Sequence, residues 1–181
     1  MALDCLLNKG LTKETSCGYS LKQINEIYLA NYAEVSTEID DARGEGYTVE
    51  SITGTSKWYK FEPAKDTSSY NDDLVVGGNG SKYRTHTMTF SFNGVYNEAV
   101  AETLDDLSLG KFVAVLKLSD GSGIMLGRLT GLEASAASSL SEAAADGQNG
   151  ITVTLECNTT EPALPLSAAA LKTVVESEKG E

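Results

Sequence analysis

Histidine occurs once, cysteine three times and proline three times in 181 residues, and the first two scarcities each remove a class of function. A structural zinc site wants about four closely organised N and S ligands. Cys5, Cys17 and Cys157 lie far apart with no CxxC pair, and the single His86 cannot make up the deficit. The thiols are read as reduced, and no metal or cofactor is assigned. Basic residues are also few: 14 Lys and Arg against 26 Asp and Glu leave a formal charge of −12. Nucleic-acid binders draw most of their affinity from Lys and Arg on phosphates, which argues against an adhesive DNA or RNA binder. Long apolar runs are missing as well. No stretch reaches about eighteen apolar residues, and the opening MALDCLLNKG has an Asp inside its short apolar run and no basic segment before it. Neither a spanning helix nor a secretory leader is expected, and the chain reads as a soluble cytoplasmic product, one compact domain with extensions.

What the chain does have is alternation. In KYRTHTMTFSF, residues 82–92, one parity carries Arg84, His86, Met88, Phe90 and Phe92 and the other Thr85, Thr87, Thr89 and Ser91, the pattern of a strand with one buried and one wet face. ITVTLECN alternates Ile151, Val153, Leu155 and Cys157 against Thr152, Thr154 and Glu156 in the same way. INEIYLANYAEV, with Ile27 and Leu29 on one parity and Tyr28 on the other, suits a strand buried on two faces, with a helix as the alternative. TVESIT, SKWYKFEP and the near-continuous KFVAVLKL read as further strands, and Asp120-Gly121 turns the last of them into GIMLGRLTGLEA. Tyr96, Val100, Leu104 and Leu107 recur at helical spacing, which predicts a helix over 95–108 with Gly110 just past its end.

The remaining segments read as connections. Residues 1–22 form an irregular arm, 64–81 a polar extended hairpin turned by GGNG, and the Ala- and Ser-rich 134–149 a flexible loop or weak helix. Residues 23–161 make up the β domain, and 162–181, opened by Pro162 and Pro165, an extended arm before a candidate terminal helix, which packs elsewhere or not at all.

Chemistry is sparse. Thr85 and Thr87 point away from His86, so no local nucleophile shares its side, and the imidazole reads as a packed structural residue. The neighbouring carboxylates Asp72-Asp73 and Asp105-Asp106 read as solvated acids, because glycoside or metal chemistry needs carboxylates that face each other. GGNG lacks the following Lys-Ser/Thr of a phosphate loop and opens a strand. Trp58, Tyr59 and Phe61 suit core or subunit packing, and Lys57, Lys60, Lys65, Lys82 and Arg84 gather around the hairpin. No catalytic residue is assigned, and the chain is read as a non-enzyme.

Taken in order, SITGTSKWYKFEPAKDTSSYND, NGSKYRTHTMTFSFNG, the acidic helix ending LSLGKFVAVLKLSDG, and QNGITVTLECNTTEPALPL resemble tail-tube-like structural proteins of tailed bacteriophages, especially those infecting Bacteroidetes. The likeness spans residues 20–166. It implies a mainly β fold with one flanking helix, a β-sandwich or barrel of the tail-tube type with a long hairpin and terminal arms. It also implies a virion protein assembling with itself into rings, usually hexameric, that stack into a DNA-conducting tube and join other tail or neck proteins. DNA would pass without specific binding. Under that resemblance Thr85, Thr87, Thr89 and Ser91 would face the lumen, and Asp66, Tyr70, Asp72, Asp73, Leu74 and Val75 would contact the neighbouring subunit. The alternatives are a single-ring head–tail connector, a tail terminator or hub protein, or, in another class, a surface-binding β-sandwich module.

Overall fold

The computed structural model describes residues 10–11, 22–39, 47–53, 57–93, 97–141 and 149–178. The chain is mainly β with two helices. The strands are β1 (Ile24–Asn31), β2 (Ser36–Ile39), β3 (Val49–Thr53), β4 (Tyr59–Phe61), β5 (Ser69–Val76), β6 (Lys82–Asn93), β7 (Lys111–Leu118), β8 (Gly123–Leu126), β9 (Leu132–Ser141), β10 (Asn149–Thr159) and β11 (Leu164–Leu166). The helices are α1 (Glu98–Leu109) and α2 (Ala168–Glu178). Among the described residues the eleven strands belong to one sheet, which does not close on itself.

The sheet is organised by β1 and β7, which pair antiparallel from Ile24↔Leu118 to Asn31↔Phe112. Both are apolar on both faces, as the near-continuous KFVAVLKL demands of a strand with no wet side. Alternate residues therefore feed two cores. Ile27, Leu29, Ala114 and Leu116 pack with Met88, Phe90, Val153, Leu155 and Leu107, whereas Tyr28, Ala30, Val113 and Val115 pack with Val49, Trp58, Leu164, Leu171 and Val174.

On its other edge β7 serves two partners: β8 along Ala114–Lys117 and β9 at Lys111–Phe112. The sheet forks there, one branch running β8-β11-β3-β2 and the other β9-β10-β6-β5. The turn between β8 and β9 that makes the fork depends on Gly127 and Gly131, both left-handed (φ 74° and 72°). A Cβ on Gly127 would also lie 2.7 Å from Leu132 Cγ, so the position has neither the backbone freedom nor the room for a side chain.

The helix begins later than the periodicity predicts, at Glu98, because Asn97 caps it: its side-chain Oδ1 accepts the Val100 N–H at 2.9 Å. Two of the expected connections differ from the structure, and a third is more regular than expected. Residues 134–141 are not loop but the greater part of β9, an Ala/Ser strand set by pairing with β10 from Asn149↔Ser141 to Glu156↔Glu133. Neighbours override a weak β propensity here; residues 142–148 lie outside the described residues. The 64–81 hairpin does turn at GGNG, but residues 69–76 are a regular strand, β5, paired with β6 from Ser69↔Thr89 to Val76↔Lys82. The arm packs on its own chain over its described residues, 162–178, with β11 inserted between β8 and β3. Ser167 Oγ, accepting the Ala170 N–H at 3.2 Å, starts α2. The arm at 1–22 lies outside the described residues except at 10, 11 and 22.

Leu164 is 2 % exposed in the second core. Leu164→Ala is expected to lower the unfolding free energy by about 2–5 kcal/mol in urea titration, the cost of a core cavity; a free arm would give no change.

Candidate assembly face and the polar cluster beneath it

The polar parity of β6 lies on the side of the β9-β10-β6-β5 branch away from the first core. Directly opposed residues of antiparallel strands share a face, so the pairings place Thr85, Thr87, Thr89 and Ser91 beside Asn158, Glu156, Thr154 and Thr152 of β10. On the other flank stand Asp73, Asn71 and Ser69 of β5, and Ala136 and Ser138 of β9 extend the surface past β10. The hydroxyls knit the strands together: Thr89 to Thr154 at 3.1 Å, Ser91 to Thr152 at 2.8 Å, and Thr85 donating to Asn158 Oδ1 at 2.8 Å. No Lys or Arg stands at these positions of β5, β6 and β10, whose charges are Asp73 and Glu156. Lys82 and Arg84 have the opposite parity, and at the border Lys111 is paired with Glu133 at 3.0 Å.

Both flanks of this branch carry unpaired backbone. Among the described residues β5 pairs only with β6, and β9 leaves β7 after two positions. The Gly77 N–H bonds the Ser81 carbonyl at 2.8 Å, which sets the alternation of the β5–β6 ladder. Val75, Asp73, Asn71 and Ser69 then bond β6, while the N–H and C=O groups of Tyr70, Asp72, Leu74 and Val76 point outward from the edge. Leu74 and Val76 are 60 % and 59 % exposed.

The residues expected at a subunit contact therefore divide. Asp73 and Val75 share the threonine face, Tyr70 packs on the first core, and Leu74 is exposed on the core side. Asp66 sits in the turn before β5 with φ 61°, where it accepts the Gln23 side-chain amide. Lys60 and Arg84, counted in the basic cluster, are held in ion pairs, Lys60 with Glu62 at 2.6 Å and Arg84 with Asp72 at 2.8 Å.

Asp72 is not a solvated acid. It turns under the sheet, where Oδ1 accepts from Arg84 and Oδ2 accepts the Ala163 N–H at 3.0 Å. Burial raises its carboxyl pKa, but the Ala163 and Arg84 bonds outweigh that and hold it below the ordinary 3.8. Opposite Asp72 lies His86, 1 % exposed, and opposite His86 on β10 lies Cys157. Arg128 grips Glu161 with two nitrogens, the shortest contact 2.6 Å. Sequence periodicity shows Cys157 and His86 pointing inward but not that pairing sets them side by side with an aspartate. These are the residue types of a thiol catalytic triad, yet the site is closed, and burial pushes the Cys157 thiol above its ordinary 9.0, opposite to what a nucleophile needs. The cluster works as a clamp, tying β5 to the segment that follows β10. Glu161 gave no signal in sequence and Arg84 only that of a basic cluster, because their roles depend on a crossing of chain segments.

No family model, curated protein or solved structure matches the chain.

Asp72→Asn is expected to cost about 1–3 kcal/mol at neutral pH, the range for a buried, charge-assisted hydrogen bond. Because the folded pKa lies below the unfolded one, this stabilisation is complete above about pH 4 and disappears as pH falls through the folded value. Denaturant midpoints of the two proteins should converge in that acid range.

Proposed function

We propose that the chain is a self-assembling structural protein of the tail-tube type, whose copies close head to tail into rings that stack into a DNA-conducting channel. One observation carries the reading: a four-stranded branch with one neutral-to-acidic hydroxyl face and, among the described residues, an unpaired strand edge on each flank. β5 and β9 differ in sequence and position, so joining the β5 of one copy to the β9 of the next is a heterologous contact, the kind that closes rings. β9, β10, β6 and β5 alternate in direction, so the new junction is antiparallel like the others.

The stagger supports the same arrangement. The middle of β5 faces β6 between Thr85 and His86, while the middle of 134–141 faces it, through β10, between Phe90 and Ser91. With the two middles paired across the new junction, that offset of about five residues is spread over four strand spacings, about 16 Å along against about 19 Å across, and corresponds to a tilt of about 40°, within the range of closed barrels. The barrel character would then be completed between copies, and the chain's many acids would face a polyanion that must slide without sticking. Thr85, Thr87, Thr89 and Ser91 would line the lumen, the location would be the virion tail, and the partners further copies and other tail or neck proteins.

Electron microscopy of the purified chain tests this. Tubes support the reading, single rings the connector alternative, and a strict monomer at high concentration overturns both in favour of a surface-binding module. Leu74→Pro removes an outward N–H without touching the β5–β6 ladder. It is expected to keep the monomer's circular dichroism and to abolish rings.

A further inference from the structure

Five segments meet at His86. β6 carries it, β5 brings Asp72 and β10 brings Cys157. The β8–β9 turn brings Gly127 and Arg128, and the segment after β10 brings Glu161. The Gly127 N–H donates to Nδ1 in a long bond of 3.4 Å, which favours the Nε2–H tautomer of the neutral ring. Nε2 is buried without a hydrogen bond of good geometry, although the Glu161 backbone lies close enough to draw on the ring proton, and Asp72 Oδ1 stands 3.7 Å away.

The charges around the ring are already matched: Arg84 with Asp72 at 2.8 Å, Arg128 with Glu161 at 2.6 Å, and the Cys157 thiol neutral. One more proton leaves the closed site with a net positive charge. Nε2 is occupied, so that proton must go to Nδ1, where it faces the Gly127 N–H and abolishes the bond. Gly127 is itself buried, and the Leu132 side chain and Phe112 carbonyl packed against it leave little room to adjust. The strain passes to the turn, to Arg128 and Glu161 next along it, and to Ala163, whose N–H holds Asp72 beneath β5.

We propose that His86 is an acid-sensitive latch for the β5 edge. Neutral, it lets the turn, the segment after β10 and Asp72 lock together under β5. Protonated at Nδ1, it pushes the turn away and loosens them, so β5 loses the fixed edge that a neighbouring copy would pair with. The assembly half rests on the tail-tube reading; the latch itself does not.

Burial pushes the imidazole pKa below its ordinary 6.5, against the pull of Asp72 and Glu161. The unfolded chain then takes up the proton near 6.5 while the folded chain does not. Stability is complete above that value and falls as pH drops from it towards the folded pKa.

A single histidine makes the imidazole resonances of the full chain unambiguous. NMR titration is expected to show the Nε2–H tautomer at neutral pH and a midpoint below 6.5. Light scattering is expected to show assembly falling at least about ten-fold for a pH unit below that midpoint. His86→Gln keeps a side-chain oxygen for the Gly127 N–H without titrating, and should assemble and melt alike across this range. A midpoint at or above 6.5, or a His86→Gln protein as acid-sensitive as the parent, overturns the latch. Should that variant not fold, Asp72→Asn decides: loss of the carboxylate should move the imidazole midpoint lower, and an unmoved midpoint refutes the coupling. If no assembly occurs at any pH, the titration and melting still judge the latch, and only the tail-tube reading falls.

Discussion

The pairing of β1 with β7, both buried on both faces, is the constraint from which the rest of the architecture follows. Two apolar faces on one ribbon need two covering layers, and one edge of β7 must supply strands to both. β8 and β9 divide that edge between them, at a turn only glycine can make. The branch led by β8 takes β11, β3 and α2 across the second core. The branch led by β9 takes β10 and β6 across the first, which leaves its far face without a covering layer among the described residues. Hydroxyl side chains populate that face because it has to be wet, while still bonding across the strands.

This explains what was readable in the sequence. Alternation in 82–92 and in ITVTLECN reports a strand with unlike faces, and both lie where one face is a core and the other is open. The continuous run of β7 reports two buried faces. Each of these signals is local, because a side chain's burial is set by its own strand. The Ala/Ser strand β9 and the tail carry no such signal: Ala136, Ala137 and Ser138 are exposed, and β11 has only three residues to show a pattern. Their structure comes from partners distant in sequence, β10 for one and β8 with β3 for the other. The acid pair shows the same limit at one residue's scale. Asp72 and Asp73 look alike in sequence, and the pleat sends one under the sheet and the other to the open face.

Edge strands of stable monomers are usually guarded by lysine, proline, a bulge or brevity. β5 has eight residues, no proline and no lysine, and pairs with β6 without a register shift. Its two acids do not guard the edge, since Asp72 is engaged below and Asp73 stands on the open face. Leu74 and Val76 remain exposed beside outward N–H groups. A strand so composed suits pairing with another chain better than solitude, and the equal length of β9 edge left unpaired among the described residues supplies a geometric counterpart.

A clamp of charged groups in place of further apolar packing makes sense in the same light. Sliding β5 by one residue against β6 would put Asp73 beneath the sheet and Asp72 on the open face, reversing every side chain of the strand. Apolar packing alone would resist that slip weakly, because Leu74 and Val76 are exposed already and only Tyr70 has a core contact to lose. Asp72 resists it strongly. Its two oxygens are assigned to Arg84 and to the Ala163 N–H, and a slipped strand would leave a guanidinium and a backbone donor without their acceptor. The cluster thus fixes which backbone groups of β5 face outward, and any partner strand must find that register already set.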